Sequence, residues 1–281
     1  MTGPVEIRAN AHGHASWWNA LDFGHYPAGE PYVKEIPLGV RYGFDLLVRT
    51  ADIAVLNEAL MFVDAMKWRF GDIPVDLHLP HFPGARQDRL NSEGDLLFTA
   101  KSVANAINQR GFRAVHVIDP HSDVIPALVD NIRVTTALDC VKAAFGEDEV
   151  AYHGVIAPDA GAEKRALSVA QWLGVPLHQA WKNRDVATGK ITGFGCEPLA
   201  DGSRYLIVDD LCDGGGTFLG LAGAITEEVT LDLYVSHGVF SKGIEDLDLA
   251  FVDIFATDSL GSIPDGVYKI SVATQLKETQ P

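Results

Sequence analysis

The chain has 281 residues, 47% of them apolar, enough to bury one large core or two medium ones, and usual domain sizes favour two. Thirty-eight acidic residues against 22 basic ones give a formal charge of -16 with no segregated basic patch, which disfavours nucleic-acid binding. Cys140, Cys196 and Cys212 are scattered and odd in number, no apolar run reaches the length of a membrane span, and the first residues lack a signal-peptide pattern. A cytoplasmic protein with no disulfide framework, no structural zinc site and no membrane association is expected.

Along the chain, short apolar runs alternate with helical patterns, the signature of βα units around mainly parallel sheets. Residues 44–48 read as a buried strand, 54–70 as a helix with Leu56, Leu60, Phe62, Val63 and Met66 on its apolar side, and 75–79 as a second strand. Leu97, Ala100, Val103, Ala104 and Ile107 keep a helical spacing, and Gly111 sits where a helix would be capped before a strand at 114–118. The second half repeats the scheme: strand 154–157, helix 162–173 closed by Gly174, strand 175–180, strand 205–208, a glycine-rich turn, a helix from about Phe218, and strands 231–235 and 250–255. The expectation is two α/β lobes, residues 1–130 and 131–281.

The most informative segment is Tyr205-Leu-Ile-Val-Asp-Asp-Leu-Cys-Asp-Gly-Gly-Gly-Thr217, a buried strand, three carboxylates, three glycines and a hydroxyl that opens a helix. Glycines let backbone N–H groups approach phosphate oxygens, and a helix start favours negative charge, so Gly214, Gly215, Gly216 and Thr217 form a phosphate cradle. Asp209 and Asp210 would repel bare phosphate, but they suit vicinal ribose hydroxyls or metal-bound water. The competing reading is a strand that ends in a solvated acidic turn.

Apolar strand, Asp-Asp, variable residues and Gly-Gly-Thr together resemble the ribose-phosphate signature of type I phosphoribosyltransferases and their relatives. Further segments narrow the resemblance to the ribose-phosphate diphosphokinase (phosphoribosyl pyrophosphate synthetase) family. Residues 80–89, Pro-His-Phe-Pro-Gly-Ala-Arg-Gln-Asp-Arg, look like its ATP segment, and residues 56–66 like the helix before it. Asp119-Pro-His121 resembles its Asp-Leu-His, Pro158-Asp-Ala-Gly161 with Arg165 its Pro-Asp-x-Gly segment, Lys182-Asn-Arg184 its catalytic loop, and Ser236-His-Gly-Val-Phe-Ser241 its late His-x-x-Phe-Ser segment. All fall in one order along the chain.

The resemblance implies two tandem type I phosphoribosyltransferase-like domains and a reaction in which a sugar's anomeric hydroxyl attacks the β-phosphorus of the co-substrate ATP, with magnesium (Mg²⁺) as cofactor. It assigns Arg86, Gln87 and Arg89 to ATP, and Asp209, Asp210, Asp213 and the 214–217 loop to ribose 5-phosphate. His121 and Asp159 fall to the metal and its phosphates, and Lys182 and Arg184, with His121, to catalysis. Tyr26-Pro-Ala-Gly-Glu30 resembles a motif that reaches adenine from a neighbouring subunit, implying that Tyr26 stacks on the base, that Glu30 bonds its amine, and that the protein is a homo-oligomer with shared sites. By residue type alone, the Arg86–Arg89 stretch is equally a charged surface loop, His121 a structural histidine, and the 182–184 and 26–30 segments solvated turns.

Three positions depart from the family pattern. Gly214 stands where the phosphate loop usually has threonine, Ala28 where the adenine motif has aspartate, and Asn183 where the catalytic loop has a second basic residue. Losing a hydroxyl bond to a phosphate costs roughly 1.5 to 3 kcal/mol if nothing replaces it, while glycine also clears space. That combination raises ADP-ribose, a 5-substituted ribose, as an alternative acceptor. Two other functions compete: a phosphoribosyltransferase, which would need no ATP segment, and a non-catalytic regulatory subunit of a synthetase. Trp17-Trp18 has no counterpart in the family pattern.

Overall fold

The alternation Val5-Glu-Ile-Arg8 gives the opening strand, β1 (Val5–Ala11), two buried faces. Val5 and Ile7 enter an apolar core, whereas Glu6 and Arg8, each 5% exposed, ion-pair with Arg49 and Asp45. The fold is that of a computed structural model, which describes residues 4–11, 14–15, 19–36, 40–90, 97–145, 151–184 and 191–272; Trp17-Trp18 lies outside the described residues.

Two compact units divide the chain between Thr135 and Thr136, Ser259–Gly261 belonging with the first. The division follows residue 135 and not 130 because β9 below is the last strand of the first sheet. In the first unit β1 is followed by β2 (His14–Ala15) and β3 (Asn19–Ala20), both antiparallel to it, and by a separate antiparallel pair, β4 (Phe23–His25) and β5 (Pro31–Val33). Then come β6 (Phe44–Val48), α1 (Ile53–Phe70), β7 (Val75–His78), α2 (Thr99–Asn108), β8 (Ala114–Ile118), α3 (Val124–Leu128) and β9 (Ile132–Thr135). The strand order is β2-β1-β6-β7-β8-β9; β6 to β9 run parallel and β1 antiparallel to β6.

Helix α1 begins where the Asp52 side chain accepts the N–H of Ala54 at 2.8 Å, and it stops at Gly71, whose φ of 84° only glycine adopts freely. Its buried Leu56, Leu60, Val63 and Met66 pack over Phe44, Leu46, Val75 and Leu77. On the other face of the same sheet, His78 and His116 stack at 4.4 Å, and burial holds both imidazoles below the usual histidine range.

The second unit contains α4 (Ala137–Phe145), β10 (Gly154–Ala157), α5 (Glu163–Leu173), β11 (Leu177–Arg184), β12 (Ile191–Cys196), β13 (Arg204–Cys212), α6 (Gly216–Ala222), β14 (Thr230–Gly238), α7 (Glu245–Ala250), β15 (Ile254–Thr257) and β16 (Tyr268–Ile270). The order is β12-β11-β10-β13-β14-β15-β16, parallel except where β12 returns beside β11. Continuous burial of β10 and of residues 205–208 is what a parallel strand covered on both faces requires. The expected mainly parallel α/β architecture is the one found in both units.

Two strands outrun the sequence reading. β13 continues through Asp209 and Asp210 because Leu211 and Cys212 still pair with His237 and Gly238. β11 extends to Arg184, so Lys182-Asn-Arg184, expected in a loop, is strand paired with β12.

At the start of β14, fully buried Asp232 accepts the Tyr152 hydroxyl at 2.6 Å and Arg204 Nε at 2.8 Å. Truncating Asp232 takes the acceptor from the buried Tyr152 hydroxyl, while Arg204, about a third exposed, keeps its ion pair with Asp253. Asp232→Ala is therefore expected to lower unfolding free energy by about 1 to 3 kcal/mol in urea titrations; a loss within about 0.5 kcal/mol, ordinary for surface changes, would show the cluster to be dispensable.

Candidate active site

In open α/β sheets, ligand-binding groups collect beyond the carboxyl ends of the parallel strands. The second unit places there, beyond β10, the residue Asp159. Its Oδ1 accepts the N–H groups of Gly161 at 2.9 Å and Ala162 at 3.3 Å, and its Oδ2 accepts Lys182 Nζ at 2.7 Å. Burial raises the Asp159 pKa, but Lys182 and the two N–H donors outweigh it and hold the carboxyl below its ordinary value. Arg184 ends the same strand as Lys182; its side chain lies outside the described residues.

On the neighbouring strand β13, Asp209 accepts the backbone N–H of Asp210 at 2.8 Å. Arg165, from the first turn of α5, brings Nη1 to 3.4 Å from Asp210 Oδ1 and 3.8 Å from Asp209 Oδ1. Burial first, then the Asp210 charge, pushes the Asp209 carboxyl well above the usual carboxylate range, against the opposing Arg165. Arg165 entered the sequence reading only as part of a matched segment. Its contact with both aspartates makes it a site residue, and no local pattern marks that contact.

Past β13 the chain bends through Asp213, Gly214 and Gly215 into α6 at Gly216 and Thr217. Gly215 has φ of 73°, and a Cβ there would meet Leu247 at 3.1 Å, so both backbone and space call for glycine. At Gly214 a Cβ would meet not open space but the stem of Lys242, at 3.2 Å from Cδ and 3.3 Å from Cε.

In the first unit, the predicted ATP segment wraps a buried carboxylate. Asp88, 5% exposed, accepts the Ser122 hydroxyl at 2.6 Å and Arg89 Nε at 3.1 Å. Burial works to raise its pKa, but the Ser122 bond and the charges of Arg89 and His121 hold it below the ordinary value. Arg86, Arg89 and His121 are exposed around this anchor, while Gln87 Oε1 accepts the Thr99 hydroxyl at the start of α2. Asp88 and Ser122 were not among the sequence-predicted residues, although Asp88 lies inside the Arg-Gln-Asp-Arg stretch.

The Tyr26–Glu30 segment is the turn between β4 and β5. Tyr26 N–H donates to Glu30 O at 2.9 Å and Gly29 N–H to Tyr26 O at 2.8 Å. The Tyr26 ring is 58% exposed, with its centroid 4.9 Å from that of Tyr32.

Among the described residues, no group of three or more His, Cys, Asp or Glu side chains forms a cation cage. Mg²⁺ needs none, since it usually takes one or two carboxylates and completes its shell with water and substrate phosphates. Asp159, half-buried at a strand end, fits that demand as an oxygen donor.

No family model matches the chain. It is 30% identical over 237 residues, 79% of its own length and 74% of the relative's, to a ribose-phosphate pyrophosphokinase from Maricaulis maris (strain MCS10). It is 28% identical over 261 residues, 90% and 87% of the two lengths, to a ribose-phosphate pyrophosphokinase from Pyrococcus abyssi. Among solved structures it is similar to a phosphoribosylpyrophosphate synthetase from Mycobacterium smegmatis, with a TM-score of 0.76 at 24% identity over 92% of this chain and 88% of that one. That likeness speaks for the fold.

The Asp209 environment makes a test of stability against pH. Because its folded-state pKa is raised, the stability linked to its proton is complete below the ordinary carboxylate range and is lost as pH rises through the folded-state value. Asp209→Asn removes that loss. In thermal scans its Tm should exceed wild type by about 2 to 4 °C in neutral buffer, the shift of about 1 kcal/mol for a chain of this size, with the gap closing as the buffer is acidified. An unchanged Tm would mean that Arg165 already neutralises the pair.

Proposed function

Since this chain belongs to the ribose-phosphate pyrophosphokinase family of transferases, we propose that it moves the diphosphate of ATP onto the anomeric hydroxyl of ribose 5-phosphate, giving phosphoribosyl pyrophosphate and AMP. The observation that carries this reading is the Asp209–Asp210 pair bound by Arg165 beside the glycine loop at the end of β13. Two adjacent carboxylates so placed accept hydrogen bonds from two vicinal sugar hydroxyls, and Arg165 balances their charge when no sugar is bound.

In this reading, Asp213 and the backbone N–H groups of Gly214, Gly215, Gly216 and Thr217 surround the sugar's 5-phosphate. Arg86 and Arg89 grip the triphosphate by forked donors, and Gln87, its carbonyl oriented by Thr99, turns its amide toward the nucleotide. Tyr26 and Glu30 present a ring and a carboxylate for the adenine of a neighbouring subunit, in a homo-oligomer. Lys182 leaves Asp159 to neutralise the transferred diphosphate, with Arg184 beside it, and the exchange costs little because one charge partner replaces another. Mg²⁺, when bound, would screen the triphosphate and polarise the phosphorus under attack; His121 in the first unit and Asp159 in the second are each a donor that would hold such an ion or its phosphates. Phosphoryl transfer of this kind asks for alignment and charge neutralisation, not for a covalent intermediate on the protein.

ADP-ribose is the second acceptor to be tested, on the ground that Gly214 has no side-chain donor for a terminal phosphate. The stem of Lys242 over Gly214 occupies the room that glycine would open, which weighs toward ribose 5-phosphate. A silent regulatory subunit is disfavoured by the intact Lys182–Asp159 and Arg165–Asp210 contacts.

AMP release from Mg²⁺-ATP is to be measured with ribose 5-phosphate, with ADP-ribose and with no acceptor, using Asp210→Ala as blank. AMP with ribose 5-phosphate, lowered about a hundredfold or more in the variant, is expected. AMP only with ADP-ribose would move the acceptor, and AMP with neither would overturn the enzymatic reading.

A further inference from the structure

A turn of the second unit is clipped edge to edge onto the phosphate loop. Val239 and Phe240 N–H groups donate to Cys212 O at 2.8 and 3.2 Å, and Ser241 N–H donates to Asp213 O at 3.0 Å. Phe240 holds φ of 48°, a left-handed conformation uncommon for an aromatic residue, while its buried ring lies where a Cβ on Gly238 would sit, 2.1 Å away. The turn is thus a fixed piece of the site wall, and it delivers Lys242. The Cγ, Cδ and Cε atoms of Lys242 lie 3.4, 3.2 and 3.3 Å from the position a Gly214 Cβ would take, so the side chain lies along the loop and its ammonium is one bond beyond Cε.

Two features give this placement a purpose. Lys242 makes no ion pair or hydrogen bond with any carboxylate among the described residues, in a chain of formal charge -16 where cations are scarce. Gly214, at the centre of the loop, contributes no side-chain donor, and a Cβ there would press on the lysine stem at 3.2 Å from Cδ. The missing donor and a cation with no carboxylate partner among the described residues lie side by side.

We infer that Lys242 is a specificity residue of the acceptor site, its ammonium giving the sugar's terminal phosphate the charged contact that position 214 lacks; this rests on reading residues 213–217 as the phosphate loop. Recognition is then by charge carried on a neighbouring turn, not by a hydroxyl within the loop. Such a contact favours a phosphate carrying two negative charges over an unphosphorylated sugar, and it is weakened by salt.

The test compares Lys242→Met, which keeps an apolar stem over Gly214 and removes the charge, with the wild-type full-length protein. Binding of ribose 5-phosphate and of ribose is measured by calorimetry, and KM and kcat for ribose 5-phosphate and ATP in the AMP assay. The variant is expected to lose about tenfold or more of the preference for ribose 5-phosphate over ribose, the scale of one hydrogen bond to a charged group. KM for ribose 5-phosphate should rise by a similar factor, with kcat and KM for ATP close to wild type. The double variant Gly214→Ser with Lys242→Ala, which restores a hydroxyl and clears the stem, should regain part of the preference. If wild type prefers ribose 5-phosphate and Lys242→Met keeps the full preference, the inference fails and the phosphate-loop reading stands. If wild type binds the two sugars equally, both fall.

Discussion

Two carboxylates on adjacent residues of one buried strand repel each other, and much of the second unit is organised around containing that repulsion. Arg165 reaches both from α5, and α5 is set in place by the turn before it, where Asp159 accepts the N–H groups of Gly161 and Ala162. Asp159 is in turn pinned by Lys182 from the adjacent strand β11. A chain of alternating charge therefore runs from β11 through the β10 turn and α5 to β13. Asp159 is held below its ordinary pKa, whereas burial and the Asp210 charge push the Asp209 carboxyl well above it, so the electrostatic strain falls on the acid pair proposed to meet sugar hydroxyls.

The first unit handles its buried carboxylate in the opposite sense. Asp88 is held below its ordinary pKa by Ser122, Arg89 and His121, which makes it a fixed anion that ties residues 80–90 to the turn after β8. A satisfied carboxylate is an anchor, whereas a frustrated one is available for a ligand. In the proposed reading, the exposed cations around Asp88 and the acid pair on β13 would answer different substrate chemistry, polyphosphate in one unit and a polyhydroxyl ring in the other.

The inner strands were legible in the sequence because parallel strands buried on both faces are runs of apolar residues, as in Phe44–Val48 and Gly154–Ala157. Where polar residues are buried in pairs, the run disappears. β1 went unread because Glu6 and Arg8 look solvent-facing until partnered by Arg49 and Asp45, 43 and 37 residues away. The polar Lys182-Asn-Arg184 reads as loop for the same reason, since its strand character comes from β12. The acid pair and the glycine loop were legible because residue type and adjacency alone specify their chemistry. Arg165, Asp88 and Lys242 were not, because each acquires meaning only through a neighbour brought near by the fold.

The turn at Tyr26–Glu30 takes its shape from two of its own main-chain bonds and from Gly29, with φ of 98°. Pro27, which presets the backbone angle at the second position of the turn, contributes to that geometry, whereas the exposed Ala28 side chain makes no bond that holds it. Ala28 thus stands where a side chain can be exchanged without disturbing the turn's own bonds: in the proposed reading, what the turn offers a nucleotide base can be altered by a single substitution that leaves the strands of the sheet untouched.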